Sequence, residues 1–89
     1  SSLVGTVTLS ARDATTFDAA FAITTFGVVD NAGTVSAIGA LPTITLTTTA
    51  GLAAATAVWT ISGTDLLLRV TGITVDTLVW AASYEYFVA

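Results

Sequence analysis

The chain has 89 residues, a formal net charge of −4, and no Cys, His, Met, Lys or Gln. This length allows one small domain, and the absence of His and Cys removes the commonest zinc ligands, the usual general base and every thiolate nucleophile. Two Arg residues are too few to neutralise a run of phosphates, so no nucleic-acid partner is expected. The composition therefore predicts neither an enzyme nor a bound metal or cofactor.

The apolar share of the composition is 54%, while the charged share is only 9%, against about a quarter in ordinary soluble domains. No apolar run approaches the roughly 18–20 residues that a membrane-spanning helix needs, so membrane insertion is not expected. A small domain buries only about 60% of the surface that its unfolded chain exposes. Many apolar side chains therefore cannot be covered within one chain, and we expect an oligomer.

Thr, Val, Ile and aromatic residues dominate, and they alternate with a period of two that favours β-strands. Asp30-Asn31-Ala32-Gly33 is the strongest turn signal in the chain. An Ala-rich helix over Ala50–Ala57 is the main helical alternative, but Gly51 and the alternation that follows argue against it. The predicted strands are, in chain order, Leu3–Arg12, Phe17–Val29 with a bend near Gly27, Thr34–Ile38, Thr43–Thr49 after Pro42, Ala54–Ser62, Leu66–Thr71 and Thr77–Val88.

About seven strands with no helix between them predict an all-β fold, namely an antiparallel β-sandwich or barrel. No linker or shift in composition divides the chain, so residues 1–89 are predicted to form one β domain. The chain starts at Ser1 rather than at Met. We therefore expect either a processed chain or a fragment or C-terminal part of a longer one.

Turn formation explains the positions of most acidic residues without any catalytic role. Four of them lie at predicted turns, where Asp side chains bond the backbone, and the turn at residues 30–33 lacks the spacing of a calcium loop. Asp18 and Glu85 lie in predicted strands, and a hydrolase built on these two carboxylates is the weakest hypothesis because no motif supports it. The four turn residues are Asp13, Asp30, Asp65 and Asp76.

Arg69 is the most informative charged residue, because it follows three Leu residues in a predicted strand. A guanidinium on an apolar sheet face needs a carboxylate partner. Asp18, Asp76 or Glu85 can supply one, within the chain or across a subunit boundary. We expect an ion pair that fixes register or assembly, which makes Arg69, Asp76 and Glu85 candidates for a subunit interface.

The aromatic residues divide into two groups. Trp59 and Trp80 lie on apolar faces of regular strands and are predicted to belong to the core. Tyr84 and Tyr86 lie near the C terminus and are the better candidates for a surface role, in which they face a ligand such as a sugar ring.

From residue 19 to the C terminus, strand and turn motifs follow one another in a fixed order. They read Phe26-Gly27-Val28-Val29-Asp30-Asn31-Ala32-Gly33, Thr34-Val35-Ser36-Ala37-Ile38-Gly39, Pro42-Thr43-Ile44-Thr45, Ala57-Val58-Trp59-Thr60-Ile61, Leu68-Arg69-Val70-Thr71-Gly72 and Leu78-Val79-Trp80-Ala81-Ala82. In this order the chain resembles the C-terminal domain of bacteriophage tail-fibre and related capsid-fibre proteins.

The resemblance implies a jelly-roll-like homotrimer on the surface of a phage particle, in a tail fibre or on the capsid, in contact with other virion structural proteins. It implies a non-enzymatic role as a trimerising fibre-tip or capsid-decoration module. The alternative is a carbohydrate- or receptor-binding module for host adsorption, in which Tyr84 and Tyr86 meet a host surface glycan. The chain departs from the tail-fibre pattern because basic residues near the Trp strands are missing, which favours trimerisation over receptor binding.

Overall fold

A computed structural model describes all residues from Ser1 to Ala89 and shows an all-β chain with 63% of its residues in strands. Two antiparallel sheets contain the seven strands, and a 3₁₀ turn at Ala50–Leu52 is the only helical element. The prediction of an all-β chain with about seven strands is confirmed. The strands are β1 (Ser2–Asp13), β2 (Ala19–Asn31), β3 (Thr34–Ala37), β4 (Thr47–Thr48), β5 (Thr56–Ser62), β6 (Asp65–Thr71) and β7 (Leu78–Val88).

The larger sheet has the strand order β3-β2-β1-β7, and β4 also pairs with β2. Three consecutive strands are joined by short loops, and β7 returns to lie beside β1, which is a Greek-key order. The turn between β2 and β3 is the predicted one: Ala32 and Gly33 have φ values of 54° and 89°, and the Gly33 N–H donates to Asp30 Oδ1 over 2.9 Å. The smaller sheet is the β5–β6 hairpin.

The core lies between the two sheets. Val7 and Leu9 of β1 and Phe26 of β2 form one buried cluster with Ala57 of β5. Trp59 packs against this cluster, with its ring centroid 5.4 Å from that of Phe26. The other partly buried side chains packed against the cluster are Leu3, Ile44, Leu46, Leu66, Leu68 and Trp80. Both Trp residues therefore lie at the core, where the sequence placed them.

The predicted strand at Thr43–Thr49 is wrong except at Thr47–Thr48, which pair with β2. Residues 41–46 have no strand structure. Ile44 and Leu46 pack against the core cluster instead, and Pro42 has no N–H to donate to a ladder. The segment therefore leaves the edge of β2 in order to bury two apolar side chains.

Candidate assembly interface

β7 is an edge strand whose C-terminal part is exposed to solvent. It pairs with β1 alone, and every residue from Ala81 to Ala89 is exposed. Ser2 and Ala89 exchange two backbone hydrogen bonds of 3.0 Å. Hydrogen-bonded positions alternate along an antiparallel strand, so the odd-numbered residues of β7 direct their N–H and C=O groups towards β1. The even-numbered residues, including Tyr84 and Tyr86, direct their N–H and C=O groups away from β1, where another strand can pair.

The outer face of the larger sheet, which is the face turned away from the β5–β6 hairpin, carries exposed apolar side chains. Alternation and register place Phe21 and Ile23 of β2 and Phe87 of β7 on this face, and their exposed fractions are 52%, 67% and 63%. Phe21 and Ile23 are neighbours on this face, whereas Phe87 lies two strands away and nearer the opposite end. The Phe21–Ile23 pair is therefore a candidate for protein–protein contact. β2 is apolar on both faces, because Ala20, Ala22 and Phe26 face the core while Phe21 and Ile23 point outward.

The chain exposes more surface than a compact monomer of its mass. Its accessible surface is 5533 Å², whereas a globular monomer of 9.0 kDa exposes about 4,900 Å². The molecule is elongated, measuring 45 × 21 × 18 Å, and an elongated shape has more surface than a compact one of the same volume. The excess of about 600 Å² is of the same order as the roughly 800 Å² that each partner contributes to a standard interface.

Tyr84 and Tyr86, the predicted ligand-facing residues, share one groove between β7 and the hairpin. The groove has a volume of about 380 Å³. Both Tyr side chains are more than half exposed, and Thr64 and Asp65 of the hairpin add polar groups to the lining. The other lining residues are Leu3, Phe26, Trp59, Leu66, Leu67 and Leu68. The contribution of the hairpin turn was not predicted, because its position across the groove from β7 is not a local sequence pattern.

The three residues predicted at an ion pair or subunit interface do not meet within one chain. Arg69 lies opposite Val58 on the outward face of the hairpin. Glu85 lies opposite Thr6 on the outer face of the larger sheet. Asp76 lies in the loop between β6 and β7. Because the two outward faces point in opposite directions, a pair between Arg69 and Glu85 requires a second copy of the chain.

Asp76 instead meets Asp13, the last residue of β1. Thr15 Oγ1 donates to Asp13 Oδ1 over 2.9 Å and to Asp76 Oδ1 over 3.5 Å. The Thr15 backbone N–H is the main reason that the pKa of Asp13 is lowered. The pKa of Asp76 is raised, chiefly because its protonated form can donate a hydrogen bond to Asp13, and then by burial and by the Asp13 charge. The sequence predicted both residues as turn formers and gave no sign that they meet.

Asp18 lies at the same end of the sheet but belongs to a separate contact. Its Oδ1 accepts a hydrogen bond of 2.8 Å from Thr49 Oγ1. The backbone N–H of Asp13 donates to the Asp18 carbonyl over 2.9 Å. No group of three or more acidic residues is arranged to hold a metal ion.

We compared the chain with protein-family models, with curated proteins and with solved structures, and none of the three comparisons found a match. No helix in the chain has the length and apolar character needed to cross a membrane.

Proposed function

We propose that the chain is a non-enzymatic structural module of a bacteriophage virion, which assembles as a homotrimer at a fibre tip or on the capsid and contacts other virion proteins there. One observation carries the proposal: only 12 of the 89 residues are buried, while thirteen large hydrophobic side chains are exposed. Identical copies are the simplest cover for such a surface. The motif order from residue 19 onwards supports the assignment to a virion.

Burial of this surface supplies the energy for assembly. Apolar surface contributes about 25 cal/mol per Å² when it leaves water. An obligate interface of roughly 2,000–5,000 Å² therefore yields tens of kcal/mol before the entropy of association is subtracted. Thr6 and Thr8 lie on the outer face of β1. Their hydroxyl groups hydrate the surface that stays exposed after assembly without adding charge.

The finer architecture that we propose is a β-sandwich of the jelly-roll type. The Greek-key order of the larger sheet supports it, since a jelly roll combines two Greek keys. The shared cluster of Val7, Leu9, Phe26 and Ala57 also supports it, because these residues come from both sheets.

The geometry gives no support to a hydrolase built on Asp18 and Glu85. Glu85 lies opposite Thr6, whereas Asp18 contacts Asp13 through the backbone. Seven residues of β1 separate these two positions, which corresponds to about 24 Å along a strand. Glycosidase carboxylates lie about 5–9.5 Å apart, so this pair is too widely spaced for that chemistry.

Arg69→Ala is the substitution that tests the proposal. We expect it to weaken the trimer by about 2–5 kcal/mol, because an interfacial carboxylate of a neighbouring copy loses its partner. A sizing column run over a range of concentrations measures the loss. Glu85→Gln is expected to have a similar effect, and the double variant is expected to be no worse than either single one.

Arg69→Lys is the matched control, because it keeps the positive charge and is expected to retain most of the assembly. A normal trimer in Arg69→Ala that no longer binds a ligand would contradict the structural role of this residue. Strictly additive effects of Arg69→Ala and Glu85→Gln would show that the two side chains do not contact each other.

A carbohydrate- or receptor-binding module for host adsorption is the second candidate, and the groove that contains Tyr84 and Tyr86 favours it. Aromatic rings beside polar groups such as Asp65 suit a sugar, whose faces are apolar and whose rim carries hydroxyls. A glycan array distinguishes the two functions when Tyr86→Ala is compared with Val75→Ala. The control truncates an exposed side chain in the β6–β7 loop, outside the groove. Glycan binding lost only in Tyr86→Ala favours this candidate, while an inert trimer favours the first.

A further inference from the structure

The end of the larger sheet that lies away from the termini contains two carboxylates with no counter-charge. The paired Ser2 and Ala89 place both termini at one end of the sheet, and the pairing of Asp13 with Leu78 marks the other. Asp13 closes β1 there, and Asp76 lies in the β6–β7 loop. Thr15 in the β1–β2 loop bonds both side chains.

The two oxygens of Asp13 have different environments. Oδ1 accepts three hydrogen bonds, from Thr15 N over 2.8 Å, from Thr15 Oγ1 over 2.9 Å and from Thr16 N over 3.3 Å. Oδ2 is buried and has no hydrogen-bond partner. Asp13 as a whole is only 3% exposed. A buried acceptor is rarely left unpaired in a native protein. Thr15 Oγ1 contacts Oδ1 of Asp13 and Oδ1 of Asp76, so the Asp76 carboxyl group lies beside the Asp13 carboxylate.

No positive group of the chain compensates these carboxylates. Arg12 precedes Asp13 in β1, so its side chain lies on the opposite, outer face of the sheet. Arg69 lies on the outward face of the hairpin, and the N-terminal ammonium group lies at the far end of β1. Asp18 adds a further negative charge near Asp76. Two anions in contact need a cation or a proton between them.

We propose that Asp13 Oδ2, the Asp76 carboxylate and the Thr15 hydroxyl bind a calcium ion. Oxygen donors of this kind suit a hard cation, and calcium accepts irregular geometry completed by water, whereas magnesium demands a near-ideal octahedron. Three protein donors are fewer than the six to eight ligands that calcium takes, so we expect a weak site with Kd of about 10⁻⁴–10⁻³ M. The contacts of Asp13 with Thr15 and Thr16 orient the ligand, as outer-shell partners do in metal sites.

The ion joins two loops that have only one backbone hydrogen bond between them, from Ala14 N to Thr77 O over 3.0 Å. Phe17 and Val75 project from these loops with exposed fractions of 105% and 82%. Calcium therefore fixes the relative position of two apolar loop tips at this end of the molecule.

Thermal unfolding with and without calcium tests the site at constant protein concentration and constant ionic strength. With 10 mM CaCl₂ and a Kd of about 1 mM, the unfolding equilibrium constant is expected to fall about tenfold. Asp76→Asn is expected to abolish this shift. Asp65→Asn removes the same charge from the hairpin and is expected to retain the shift. Thr64 of this hairpin lies beside Ser1 and Ser2, at the end of the molecule away from Asp76.

Equilibrium dialysis with calcium provides a second readout that does not depend on unfolding, and we expect one ion per wild-type chain. The site is refuted if the wild-type chain neither binds calcium nor is stabilised by it. Equal calcium shifts in Asp76→Asn and Asp65→Asn would also refute it, since they indicate non-specific screening. Stabilisation by mild acid alone, without any calcium effect, would mean that a shared proton rather than a cation holds the two carboxylates together.

Discussion

Leu9→Ala is expected to lower the free energy of unfolding by about 2–5 kcal/mol. Leu9 is 2% exposed and belongs to the cluster that joins the two sheets. Its cross-strand neighbours are Ala22 and Ala82, whose short side chains cannot extend into the vacated space. The cavity therefore persists, and the loss is a large part of the 5–15 kcal/mol that stabilises an ordinary domain.

Urea unfolding followed by Trp fluorescence measures this loss, since Trp59 packs against the same cluster. Val75→Ala is the control, because Val75 is 82% exposed in a loop and its truncation is expected to change the free energy by less than about 0.5 kcal/mol. Similar losses in the two variants would mean that Leu9 does not lie in a packed core.

Gly5→Ala is expected to destabilise the chain by about 1–3 kcal/mol or more, because the new methyl group has no room. A Cβ atom at this position would overlap the Glu85 carbonyl oxygen, and it would lie 2.7 Å from Phe26 Cζ and 2.8 Å from Tyr86 Cβ. The clash with backbone cannot be relieved by a rotamer change. The pairing of β1 with β7 must open or shift, so we expect assembly to weaken along with stability.

Gly72→Ala is the matched control for this substitution. Its Cβ would make ordinary contacts at 3.5 Å or more with Leu78, so a change below about 0.5 kcal/mol is expected. Unfolding curves and hydrogen exchange in β7 measure the difference between the two variants. Unchanged protection of β7 amides in Gly5→Ala would contradict the close packing of the two strands at this point.

Alternation along single strands predicted the fold where one face of the strand meets the core. The expected strand Leu3–Arg12 is observed as Ser2–Asp13, because its inward side chains are regularly apolar. Thr43–Thr49 alternates equally well, yet only Thr47–Thr48 form a strand. Alternation does not reveal whether a segment pairs with the edge of a neighbouring strand. Burial of Ile44 against the core outweighed pairing there.

The candidate sites depend on register, which the sequence does not reveal. Thr15 and Asp76 are 61 residues apart and meet only because β7 pairs with β1. Leu66–Leu68 is apolar on both faces of its strand, so the pattern left the side of Arg69 undetermined until its pairing with Val58 was known. Tyr84 and Tyr86 were predicted as surface residues from their position near the C terminus, and the structure places them in the edge strand β7.

The mass of the folded chain in solution tests the central claim most directly. Native mass spectrometry at micromolar concentration is expected to give a species of three chains of 9.0 kDa each, with little monomer. A folded and soluble monomer that persists as the concentration rises, with its apolar outer face still accessible to a hydrophobic dye, would contradict the claim that sister chains cover this surface.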